Sequence, residues 1–174
     1  MTTNRSIILL AIKSVLSLLA LVLLTIIIHE GAHFIAALAL AIPIEHFTWF
    51  NPNYFAPVFV SGSTEYTTRM TIVSYAGGLI TGVLLLAILA VKRDWLRQSP
   101  YHWILGFFFA TSGFYQLYLG IFEGAFHDRY VSYATNLFGF TNLIGYVCAF
   151  LGMALYCWIF KPRLKEFRIR GRIN

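Results

Sequence analysis

Charge is what this sequence has least of. Asp, Glu, Lys and Arg make up 11% of its 174 residues, where a soluble domain carries about 25%. An ordinary soluble domain is therefore excluded. Intrinsic disorder is excluded as well, because it requires low hydrophobicity and high net charge, and 59% of this chain is apolar or aromatic. Cysteine is equally scarce. Cys148 and Cys157 fall nine positions apart on one predicted helix, roughly 13 Å at 1.5 Å per residue, and a disulfide needs Cα atoms within about 7 Å. Neither has a cysteine or histidine partner at metal-ligand spacing, so both are read as packing residues. No internal repeat or low-complexity segment is present, and there is no length for a sizeable soluble module.

What is abundant is apolar sequence in long runs. Four stretches, about 15–41, 71–91, 103–122 and 138–160, each reach the ~20 residues that a membrane-spanning helix needs. The expectation is an all-α polytopic membrane protein. It forms one integral domain over residues 1–174, with about four transmembrane helices. A polar and aromatic loop (42–70) follows the first helix, a basic loop (92–102) the second and a mixed segment (123–137) the third. A basic tail (161–174) opens at Lys161-Pro162, which ends the last helix. The first run is longer than the ~7–15 residues of a signal-peptide core and contains His29, Glu30 and His33, so it is read as a retained helix.

The few charges are sharply segregated. In a four-helix arrangement Arg5, Lys13, Lys92, Arg93, Arg97 and the six basic residues of the tail lie on one side, eleven of the 13 basic residues. With Asp94 and Glu166 subtracted that side carries +9, which leaves −3 for the rest of the +6 total. Lys and Arg in short flanking loops mark the cytoplasmic side, so both termini are expected there. A basic cluster beside a membrane helix is drawn to anionic lipid, the partner expected for the tail in preference to nucleic acid. Gly106, Gly113 and Gly120 recur at sevens and Gly78 with Gly82 at four, the spacing of close helix contacts in a bilayer.

Chemistry is concentrated in the first helix, which contains His29-Glu30-Gly31-Ala32-His33, an H-E-x-x-H sequence. Positions i and i+4 share a helix face, so both imidazoles can hold one Zn²⁺ while the intervening Glu serves as general base toward water. A charge near the centre of a spanning helix costs about 2.5–3.5 kcal/mol on the insertion scale, so Glu30 requires compensation. The plainer alternative is a neutralised polar cluster that joins helices without metal.

These residues resemble the intramembrane zinc metalloproteases of the site-2 protease type, over most of the chain. An apolar run leads into HEGAHFIAAL, as in the family's first core helix. Later, Ala76-Gly77-Gly78-Leu79-Ile80-Thr81 looks like the family's A-G-P-x-x-N element, with Gly78 in place of Pro and Thr81 in place of Asn. The resemblance implies a substrate-binding role for Gly77, Gly78 and Thr81. It also implies that the 42–70 loop forms a membrane-dipping sheet edge. Val58-Phe59-Val60 and the nearby Asn51-Pro52-Asn53 turn signal independently favour a strand there, and a free strand edge can pair with an unwound substrate. The aromatic residues of the loop can equally form an interfacial belt.

A zinc hydrolase holds its metal with three protein ligands. Glu123, His127 and Asp128 are the candidates for the third. In the family it is an Asp on a later helix, usually followed by Gly. Asp128 is the one Asp outside the cytoplasmic segments and is the first choice; Glu123, which precedes Gly124, is the alternative. The family's N-x-x-P stretch before that Asp is absent. His127 is a candidate for hydrogen bonding to a ligand or to a substrate oxyanion.

The expected activity is zinc-dependent hydrolysis of a peptide bond in a membrane-embedded or membrane-proximal substrate, with one Zn²⁺ per chain, Glu30 as base, and a membrane protein or peptide as substrate. Two rivals stand beside it. One is a proteolytically inactive relative that binds partner helices; the other is a small metal or ion transporter with these polar groups along a path. From Val15 to His29 is 14 residues, about 21 Å of a ~30 Å core, which puts the site in the half of the membrane away from the basic side.

Overall fold

A computed structural model describes residues 2–51, 56–61, 68–126 and 140–160. Within them the order is α1 (Thr2–Ala39), β1 (Ile44–Asn51), β2 (Ala56–Ser61), α2 (Thr68–Val91), α3 (Arg93–Leu96), α4 (Pro100–Ala125) and α5 (Phe140–Ile159). Four helices are long and apolar enough to cross a membrane, and the architecture is that of an all-α polytopic membrane protein. Exposed apolar side chains such as Leu16, Leu23 and Ile35 on α1, and Phe150 and Trp158 on α5, give the bundle the surface that lipid accepts.

The boundaries shift in two informative places. α1 starts at Thr2, well before the 15–41 run, because nothing between Asn4 and Lys13 breaks a helix. α4 runs to Ala125 rather than ending near residue 122, so Glu123 belongs to the helix and not to the segment after it. A carboxylate reads as a span's end in the sequence, but here its side chain is turned into the protein and only 7% of the residue is exposed. At the other end of α4, Ser99 caps the helix by accepting from the His102 N–H, with Pro100 in the first turn, where its missing N–H costs nothing.

α1 ends on a capping turn. The Ile42 N–H reaches back to the Ala37 carbonyl (2.9 Å) and the Ala41 N–H to Leu38 (3.1 Å), with Ala41 left-handed at φ 54°. This is the double bond that closes helices on a left-handed residue, and Pro43 blocks continuation. The chain then forms an antiparallel hairpin, β1 with β2, in which Phe47 faces Phe59 across the ladder and the register slips at two places. β2 lies against the end of α1.

α2 and α4 are the most extensively packed helix pair, with α5 on the other flank of α4 and α1 against α2. Small residues permit this approach. Gly78 meets the α4 backbone at Gln116 and Gly120, leaving no room for a Cβ on either glycine. The seam expected on the third helix is split: Gly113 and Gly120 face α2, whereas Gly106 faces Tyr156 of α5, since residues spaced by seven drift around a straight helix. Cys148 and Cys157 are free thiols.

Lys13, Lys92, Arg93 and Arg97 gather at one end of the bundle. Lys13 lies 4.2 Å from the centre of the Tyr101 ring, and Arg97 donates to the Ile159 carbonyl at 3.2 Å. The N-terminal half of α1, the α2–α4 connection and the end of α5 therefore share that end. The hairpin joins the ends of α1 and α2 that face away from it.

Candidate metal centre

Two helices bring three polar side chains to a single point. His29 and His33 are one turn apart on α1, and their Nε2 atoms are 3.1 Å apart. Glu123, near the end of α4, places Oε2 3.4 Å from each. α2 passes alongside and contributes the Val73 carbonyl, which accepts a 2.7 Å hydrogen bond from His33 Nδ1. His29 Nδ1 is 2.6 Å from Gln116 Oε1 on α4. His29 and Glu123 are each 7% exposed, and the histidine rings meet edge to face with centroids 4.8 Å apart.

The hydrogen bonds fix what the inner atoms present. A carbonyl oxygen only accepts, so His33 Nδ1 carries the proton and in the neutral ring its Nε2 offers a lone pair; with the Gln116 oxygen facing it, neutral His29 is arranged in the same way. Two lone pairs and a carboxylate oxygen then face one another inside the protein. Glu123 Oε2 has no hydrogen-bond donor among the described residues. Three buried polar atoms that converge in this way are satisfied by positive charge among them, carried by a metal ion or by a proton on one imidazole.

The arrangement fits a metal ion. Ligands on tetrahedral Zn²⁺ at ~2.0–2.1 Å are separated from one another by about 3.3 Å, and the three separations here are 3.1, 3.4 and 3.4 Å. One carboxylate with two imidazoles is also a donor set typical of catalytic zinc, which keeps a fourth position open.

Of the residues singled out in the sequence, His29, His33 and Glu123 come together. Glu30 is half-buried on the same helix, and at Gly31 an added Cβ would meet nothing within 4 Å, so α1 is open beside the site. Asp128, the first choice for third ligand, lies outside the described residues, as do His127 and the tail. Gly77 packs directly on the His33 ring, where a Cβ would collide. Gly78 is a helix crossing point, and Thr81 is fully buried, with no hydrogen-bond partner for its hydroxyl among the described residues. Sequence reasoning missed Gln116 and the Val73 carbonyl. The first had a signal: it is the one side-chain amide in the third apolar stretch, seven positions before Glu123.

No family model matches the chain, and neither a curated protein nor a solved structure matches it.

Proposed function

We propose that this chain is a membrane-integral zinc hydrolase of the site-2 protease type, with His29, His33 and Glu123 as the metal ligands and Glu30 as general base. The observation that carries the reading is the convergence of both H-E-x-x-H histidines with a buried carboxylate oxygen. Convergence on one point favours a hydrolytic centre over an ion path, which would string its polar groups along the bundle.

When bound, zinc polarises the scissile carbonyl and acidifies the attacking water. The chain's own residues do the rest. Val73 and Gln116 hold the two imidazoles in the tautomer that presents Nε2. Glu30 takes the proton of the attacking water and returns it to the leaving amine. The open side of α1 at Gly31 gives a peptide segment lateral access to that carboxylate. The site lies toward the hairpin end, opposite the basic end, and the charge distribution supports a position in the half of the membrane away from the cytoplasm.

The substrates of such a site are membrane-embedded or membrane-proximal polypeptides. Cleavage of a bilayer-embedded test substrate by wild-type chain and by Glu30→Gln checks the reading. Cleavage by wild type and loss of at least ~10²-fold in the variant, with zinc content unchanged, is the expected outcome; equal cleavage by both would contradict the assignment of Glu30.

A further inference from the structure

α4 supplies the site from two levels. Glu123 and Gln116 are seven residues apart, two helical turns and about 10.5 Å of axis, so they lie on nearly the same face. His29 sits between them: its Nε2 is 3.4 Å from Glu123 and its Nδ1 is 2.6 Å from Gln116. The Gly78 crossing draws the α4 backbone against α2 at Gln116 and Gly120, and so fixes the depth at which the amide meets the ring.

We propose that Gln116 is a positioning residue of the metal centre: it holds His29 in the Nδ1–H tautomer and in the orientation that aims Nε2 at the metal. This rests on the zinc reading above, and two considerations carry it further. An isolated amide in an apolar helix is costly unless paired, and the partner it finds is the outer nitrogen of a metal-site imidazole rather than another helix backbone. The two histidines are also held differently. His33 is oriented by the Val73 carbonyl, which no substitution removes, whereas His29 depends on a side chain. His29 is thus the candidate ligand whose aim is set by one replaceable residue, and with the Gln116 oxygen facing Nδ1 that residue acts as an acceptor.

The test uses the purified full-length chain in detergent or nanodiscs, with Zn²⁺ affinity measured against a competing chelator and Co²⁺ as a spectroscopic substitute. Gln116→Met keeps the length of the side chain and removes the acceptor; Gln116→Glu keeps an acceptor. The expected result is a ~10–100-fold loss of zinc affinity in Gln116→Met, a changed Co²⁺ ligand-field spectrum, and recovery to within a few-fold of wild type in Gln116→Glu. On the wild-type protein itself, ring ¹⁵N shifts of His29 should report a protonated Nδ1, a readout independent of whether either variant folds. Wild-type affinity in Gln116→Met, equal losses in Met and Glu variants, or a protonated Nε2 on wild-type His29 would each overturn the role of Gln116 while leaving the zinc site standing. A wild-type chain that binds no zinc would overturn the metal reading and this one with it.

Discussion

His33 is confined on two sides. Its outer nitrogen is tied to the Val73 carbonyl, and its ring lies against Gly77 so closely that a Cβ there would overlap it. Gly77 is needed for the space it leaves. Replacing it with Val should displace the ring, destabilise the fold by about 1–3 kcal/mol from overpacking, and weaken zinc binding beyond what a comparable insertion into α5 produces. Paired thermal unfolding and zinc titration measure both effects; unchanged zinc affinity would show that His33 is not a ligand. At this scale the sequence was legible wherever spacing alone defines the chemistry, as in His29-Glu30-x-x-His33. It did not single out Glu123, the carboxylate that meets both histidines. Choosing between Glu123 and Asp128 depends on which residue a helix carries into the protein, and a lone carboxylate after an apolar run looks like a terminus until tertiary packing shows it buried. Gln116 was missed for the same reason, since an amide shows its role only through its partner.

Helices and hairpin were readable from apolar run length and turn signals, because a bilayer imposes a minimum span and leaves little choice of secondary structure. What escaped was where α1 starts and where α4 stops. The end of α1 is closed by a left-handed Ala41, a conformation in which a Cβ costs roughly 1–2 kcal/mol. Glycine relieves that strain and loses part of the gain to backbone entropy. Ala41→Gly should therefore raise stability by up to about 1 kcal/mol without altering the hairpin, as read by unfolding in a mild denaturing detergent. A loss of stability would mean that α1 ends differently. The strand pairing of 44–51 with 56–61 was expected only in outline, because alternation along the chain does not specify its two register slips.

Across the whole molecule, the charge segregation of the sequence reappears as geometry. Lys13, Lys92, Arg93 and Arg97 belong to the end of the bundle where α5 also finishes, and the three candidate ligands lie toward the opposite end. His29 and His33 come from a stretch that length and hydropathy identify as membrane-spanning and Glu123 from the residue just past another, and their meeting depends on α2 packing tightly on α4 while α1 lies against α2, which no periodicity specifies. The orientation argument has a direct check. A reporter active only in the cytoplasm, fused after Asn174, should be active, and one inserted at the 52–55 hairpin connection should be silent; the reverse pattern would invert the placement of the site.

The central claim is that His29, His33 and Glu123 hold one metal ion. It is tested most directly by zinc stoichiometry on purified wild-type chain beside Glu123→Ala and Asp128→Ala. One zinc per chain in wild type and in Asp128→Ala, with tight binding lost in Glu123→Ala, is the result expected. Zinc retained at full affinity without Glu123, or a wild-type protein that takes up none, would contradict the account.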